Sequence, residues 1–229
     1  MYIFHSIFGI ILEALFPSSK TDKKLFSYNK ELAVEMLPVA PASPIISAQS
    51  IFAYKNDLVK SLIWNIKYKK SAEAIEIGGY ALYLRIIKIA KEIEAKQILL
   101  VPIPISHRRK NERGYNQCEL LLNKILEFND ISDKSSLIVC NDLIKRVIHK
   151  DRQTLKDRSH RLEDAKNIFE INEKILGQLK EKLYKSNSGF DIPVIIVDDV
   201  ITTGSTIKEA ILTLKKAGFS NVIGLSLAH

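Results

Sequence analysis

The stretch Val194-Ile195-Ile196-Val197-Asp198-Asp199-Val200-Ile201-Thr202-Thr203-Gly204-Ser205-Thr206 runs four aliphatic residues into two adjacent carboxylates, then into a hydroxyl-rich turn around a glycine. Ile207, Ala210, Ile211 and Leu214 follow at helical spacing, so the segment reads as buried strand, loop and helix. The aliphatic run lacks the alternation of a half-exposed strand, which predicts a parallel strand covered on both faces. In open parallel sheets ligands gather beyond the carboxyl ends of the strands, where Asp198 and Asp199 fall.

Successive backbone N–H groups from Thr202 to Thr206, at a helix N-terminus, form a concave anion site to which the hydroxyls add donors. Gly204 lets the backbone approach a phosphate closely. Two carboxylates one loop away suit sugar hydroxyls or a magnesium-bound water, so a phosphorylated sugar satisfies both halves. A plain strand-to-helix turn with a capping box from Thr206 to Glu209 is the simpler reading of the same residues. A nucleotide-hydrolase strand also ends in acids, but no GxxxxGK[ST] occurs in the chain.

The second buried strand is predicted at Ile98 to Pro104, and it opens onto Ser106-His107-Arg108-Arg109-Lys110 and Arg113-Gly114-Tyr115-Asn116-Gln117. A cationic loop beyond a parallel strand lies on the same edge of the sheet as the acid pair, where guanidinium groups can grip a pyrophosphate bidentately. A solvated basic loop would account for the charges alone, though less well for their position. Helices are expected around Leu58 to Ile66, ending in the basic cluster Lys67-Tyr68-Lys69-Lys70, from Ala72 to Ala95, through Leu120 to Ile125, and from Glu173 to Tyr184. Shorter strands are expected near Ser50 to Tyr54, Leu137 to Cys140, Ile168 to Ile171 and Asn221 to Leu227. From about residue 97 strands alternate with helices, which predicts an α/β fold with a parallel sheet flanked on both faces. Residues 50 to 95 are expected to cap the strand ends, and Lys145 to Arg161 reads as a loop able to close over a ligand or as a surface connection.

The 229 residues suffice for one domain with an appendage, divided here as residues 1–49 and 50–229 at the proline-punctuated stretch Pro38 to Pro44. With 34 Lys and Arg against 26 Asp and Glu the formal charge is +8, which suits a phosphate-rich partner or simply a lysine-rich surface. Cys118 and Cys140 show no zinc spacing; they fit a reduced, cytoplasmic setting and read as packing residues. Residues 2–16 form an apolar stretch too short for a bilayer span and without the features of a signal peptide. An amphipathic helix docked on its own domain, or a helix contacting a membrane surface or a partner, are the readings left.

The run Val101 to Leu121, VPIPISHRRKNERGYNQCELL, resembles the signature of the ComF/GntX family of phosphoribosyltransferase-like competence proteins, in which VPVP, a run of arginines and RGFNQ precede a helix. Gln153, Thr154, Arg161 and Phe169 match the family's Q-T…R…F stretch, and Val197 to Thr206 resembles the phosphoribosyl pyrophosphate (PRPP) motif of type I phosphoribosyltransferases. The resemblance covers roughly residues 50 to 229. It departs at the N-terminus, where Ser18, Ser19 and Lys20 stand in place of a cysteine zinc module, so no zinc is expected; Asp164 and Asn167 replace a common asparagine and glycine.

The resemblance implies a type I phosphoribosyltransferase fold with a small N-terminal hood, binding PRPP with Mg²⁺. The sugar phosphate would lie against Thr202, Thr203, Gly204, Ser205 and Thr206, and the ribose hydroxyls against Asp198 and Asp199. Magnesium would be held mainly by PRPP oxygens, the two acids acting on it through water or sugar. Ser106, Arg108, Arg109, Lys110 and Arg113 would hold the pyrophosphate, with Arg113 and the acid pair as the catalytic set acting by positioning and charge stabilisation. No general base for an acceptor stands out. The alternative implied is a non-catalytic competence factor that assists import of single-stranded DNA, with competence-machinery proteins as partners.

Overall fold

A computed structural model describes residues 19–43, 45, 47–132, 136–147, 168–185 and 191–229; the predicted helix at 2–16 and the residues Gln153, Thr154 and Arg161 lie outside these. Five parallel strands form the main sheet: β1 (Ala48–Phe52), β2 (Gln97–Pro102), β3 (Ser136–Val139), β6 (Val194–Val200) and β7 (Val222–Ala228), in the order β1-β7-β6-β2-β3. A separate antiparallel ribbon pairs β4 (Ile144–Arg146) with β5 (Phe169–Ile171). The α/β architecture expected from the alternation is the one observed.

Strand alternation explains the continuous apolar runs. Ile98 and Leu100 of β2, with Ile195 and Val197 of β6, pack on one face beneath α4 (Ala72–Glu92) and α6 (Gln117–Ser132). Leu99 and Val101, with Val194 and Ile196, pack on the other face beneath α7 (Glu173–Lys185) and α8 (Ser205–Lys216). Val194 to Val197 are fully buried. Truncating Ile196 to alanine is therefore expected to cost about 2–5 kcal/mol.

The helices approach closely because of two glycines. A Cβ on Gly79 would stand 2.7 Å from Lys124 Cγ, and one on Gly78 would stand 3.0 Å from both Ile66 and Leu227. The Gly78-Gly79 pair inside α4 is thus the point at which that helix packs against α6 and the sheet, a reason the helical pattern alone did not supply.

Three expectations need correction. The segment after β2 is no loop: Ser106 caps α5 (His107–Arg113), its hydroxyl accepting from the Arg109 N–H at 3.3 Å, and Gly114 ends the helix at φ 78°. The capping box from Thr206 to Glu209 is absent, because α8 starts at Ser205 with Gly204 as its N-cap and no side-chain cap. Residues 50 to 95 are only partly a cap. β1 is an edge strand of the main sheet and α4 is one of its covering helices.

What lies over the strand ends is narrower: α3 (Asp57–Trp64) and the π-helical turn Asn65–Lys69 that continues it. The short helices α1 (Lys20–Phe26) and α2 (Lys30–Met36) bury Leu25 and Ala33 in the same core as Val59 and Leu82, so residues 19–43 share the core of the main body. Among the described residues no helix is long and apolar enough to cross a membrane.

Candidate functional site

The connections out of β2 and β6 diverge. β2 leads through α6 to β3 on one side, and β6 leads through α8 to β7 on the other. Such a switch in strand order opens a crevice at the carboxyl ends of the two central strands, where ligands of doubly wound sheets bind. The register Pro102↔Val197 puts Asp198 immediately past the last β2 pair, at the mouth of that crevice.

The two carboxylates have different surroundings, as neighbours on a strand should. Asp199 is 4% exposed, and both of its oxygens are engaged. Lys67 Nζ lies 2.8 Å from Oδ1, and the Gln117 side-chain amide donates to Oδ2. Arg113 in turn donates to Gln117 Oε1 at 3.0 Å and places its guanidinium 5.0 Å from the Tyr68 ring centroid. The buried Nε of Arg113 has no hydrogen-bond partner among the described residues. This leaves an uncommitted donor within the network attached to Asp199.

Asp198 is half-buried, and its Oδ1 accepts from the Asp199 N–H at 2.8 Å. Burial first and the Asp199 charge second push its carboxyl up to about 7, against the opposing pull of Lys67 and Arg109. Cys118 Sγ lies 4.0 Å from the same Oδ1. Burial, then the two acids, drives that thiol well above its ordinary range, so it stays protonated. Cys118 Sγ and the two carboxylates lie within 4.8 Å of one another, a donor set dominated by oxygen.

The hydroxyl loop faces solvent. Thr202, Thr203 and Ser205 are exposed, and Thr203 Oγ1 stands 3.1 Å from Ser205 Oγ. Gly204 sits at φ 76°, and a Cβ there would come within 1.8 Å of Ile45 Cδ1, so only glycine closes the turn against that neighbour. The turn leads directly into the twelve-residue helix α8, with Gly204 as its N-cap.

The cationic residues divide. Arg109 acts electrostatically on Asp198, and Arg113 reaches Asp199 through Gln117. Arg108 turns to solvent at 87% side-chain exposure and pairs with Glu112 at 2.7 Å. Lys110 is an exposed residue of α5, and Ser106 serves as that helix's cap.

Four residues near the acids were not assigned from the sequence. Gln117 stood inside the quoted RGYNQ run, four residues after Arg113, and that spacing was the available signal. Lys67 stood in a basic cluster remote in sequence, and nothing local marked it. Arg146 of β4 is half-buried, with its guanidinium 5.7 Å from the Phe169 ring centroid. Burial and Arg109 lower its pKa while Asp198 raises it. Cys118, read as packing, is buried but lies against Asp198.

No protein-family profile matches the chain. It is 32% identical over 130 residues to Competence protein F of Haemophilus influenzae, an alignment covering 57% of this chain and 49% of that protein. It is 29% identical over 170 residues to Competence protein ComFC of Bacillus subtilis, covering 74% of this chain and 58% of that protein. The chain thus spans about half the length of the curated relatives it matches.

Proposed function

The chain belongs to the ComF family of competence proteins, and from that premise we propose that it is a competence factor whose β6–α8 site binds PRPP with Mg²⁺. The observation that carries this reading is the pairing, at the switch point of the sheet, of an acid pair with a left-handed glycine turn bearing exposed hydroxyls. The residues fit the group. Exposed Thr202, Thr203 and Ser205 offer donors to a sugar phosphate, and Asp198 offers hard oxygen to ribose hydroxyls or to water on the cation. Arg113 has a buried Nε still to satisfy, and Arg109 and Arg146 bring positive charge to the Asp198 side. When bound, magnesium would offset the phosphate charge and polarise the leaving pyrophosphate.

Asp199 plays a different part from Asp198. Both of its oxygens are occupied by Lys67 and Gln117, so it orders the base of the site, and Asp198 is the carboxylate presented to a ligand. PRPP binding is tested by calorimetric titration with Mg²⁺. Saturable binding to the intact chain and its loss in Asp198→Asn support the reading. Release of pyrophosphate from PRPP in the presence of a panel of nucleobases tests transfer.

A second reading has its own observation. Trp64 and Tyr68 meet at a 44° tilt with centroids 5.6 Å apart, Lys69 stands 5.3 Å from the Trp64 centroid, and Lys70 stands 5.6 Å from that of Tyr115. Alternating aromatic and cationic groups of this kind suit single-stranded DNA. Under this reading the chain is a non-catalytic competence factor working with the DNA-uptake machinery. Binding of single-stranded DNA by a chain that ignores PRPP would replace the first reading with the second.

A further inference from the structure

A cavity of about 790 Å³ opens between α1 and the α3–π-turn segment, on the far side of Lys67 from the acid pair. That volume falls within the range of small-molecule sites, and is far more than an inorganic anion requires. Its lining combines two chemistries. Trp64, Tyr68 and Tyr54 supply aromatic surface, and Lys60, Lys67 and Lys69 supply three ammonium groups.

Among the described residues two carboxylates line the cavity, and both are already held. Asp57 pairs with Lys60 at 2.9 Å. Asp22 accepts from the Ser61 hydroxyl, from the Asn65 amide at 3.0 Å and from the Ser19 N–H at 2.9 Å, with Lys69 at 4.0 Å. These hydrogen bonds and the Lys69 charge outweigh burial and keep the Asp22 carboxyl below its ordinary value. Asp22 is thus a held anionic floor, and each of the three lysines faces a carboxylate it would share with a ligand phosphate: Lys60 with Asp57, Lys67 with Asp199 and, more loosely at 4.0 Å, Lys69 with Asp22.

We propose that this cavity binds a mononucleotide, its base against Trp64 and Tyr68 and its phosphate against Lys60 and Lys69. A neutral ring would make no use of the lysines, and a bare phosphate would leave the aromatic wall unfilled. Base stacking on aromatic side chains contributes about 1–3 kcal/mol per base. Lys67 belongs to both places: it lines the cavity and holds Asp199 at 2.8 Å. A phosphate drawing on Lys67 competes with Asp199, so nucleotide binding and the state of the acid pair are coupled, and by linkage each weakens the other's hold on that lysine.

Trp64 is the one tryptophan in the sequence, so its fluorescence reports the cavity directly. The full chain is titrated with adenosine monophosphate, with inorganic phosphate, and with a short single-stranded oligonucleotide, all without PRPP or magnesium. The expected result is a saturable change with the monophosphate. Its affinity should be about tenfold weaker in Lys69→Ala and severalfold weaker in the more exposed Lys60→Ala, as loss of one charge-assisted contact requires. Affinity should rise in Asp199→Asn, which releases Lys67.

No saturable response, an equal response to phosphate alone, a response to the oligonucleotide alone, or unchanged affinity in both lysine variants would each overturn the proposal. Unchanged affinity in Asp199→Asn would overturn the coupling. Because PRPP is absent throughout, failure here leaves the reading of the acid pair untouched, and failure of PRPP to bind leaves this one untouched.

Discussion

Two basic clusters flank the carboxyl ends of the strands, and they behave differently. The helix α5 carries Arg108, Arg109, Lys110 and Arg113, and none of its residues is fully buried. The π turn after α3 carries Lys67 and Lys69, whose side chains are only 20% and 11% exposed. The denser cluster is largely solvated, with Arg108 spent on a surface pair, and the sparser one supplies the cation that neutralises Asp199. The strength of a charge's contribution follows its burial and its partner, because water screens exposed pairs and leaves buried ones nearly bare. Counting charges along the chain therefore does not show which cluster meets the acid pair.

The largest effect that would break this contrast is at Lys67. Lys67→Ala leaves Asp199 buried with one partner fewer, and urea denaturation should register a loss of about 3 kcal/mol. A loss too small to measure would mean that Gln117 alone satisfies the carboxylate.

Next in size is Arg113, the one α5 residue tied into the buried network. Arg113→Ala should weaken PRPP binding about tenfold by calorimetry, a charge-assisted contact's worth. Arg113→Lys should recover little of it, since the fork to Gln117 and the stacking on Tyr68 are lost.

A smaller effect separates the acids themselves. The Asp198 carboxyl titrates near 7 when folded against an ordinary 3.8. The folded chain then binds more protons than the unfolded one between those values, so this group's contribution to stability falls as pH rises through the window and levels off above it. Asp198→Asn removes the titration. Scanning calorimetry should give a variant Tm a few degrees above wild type near pH 8, with the difference closing by about pH 4. A gap that does not change with pH would show that the carboxyl is not raised.

The smallest effect expected is at Arg108. Arg108→Ala should leave the urea midpoint unchanged and alter PRPP affinity by less than about twofold, as for exposed ion pairs in general. A tenfold loss there would restore the solvated helix to the centre of the site.

The legible parts of the molecule share a property. Val194 to Val197 and Ile98 to Val101 announce buried parallel strands because each must be covered on both faces, and the structure places them at the centre of the sheet. The acid pair and the hydroxyl turn follow in sequence and remain adjacent in space, since strand, turn and helix are one local unit. Less legible was whatever depends on a second segment. Ser106 at the head of α5 is a helix cap, a local signal that the density of cations obscured. The Gly78-Gly79 pair reads as a weakness in a helix until Lys124 and Leu227 are brought against it.

The sequence by itself determined that the chain is an α/β protein, where its central strands lie, and that a carboxylate pair and a hydroxyl-rich glycine turn follow one of them. Periodicity and short-range turn chemistry act within a few residues, so one segment suffices to show them. Only the tertiary structure decided which cation meets which acid. Lys67 comes from the π turn after α3 and Gln117 from α6, and the two converge on Asp199 only in the folded chain, a meeting no local pattern encodes. The same packing leaves Asp198 the more exposed of the two acids, and it forms the aromatic and lysine-lined cavity beside Lys67.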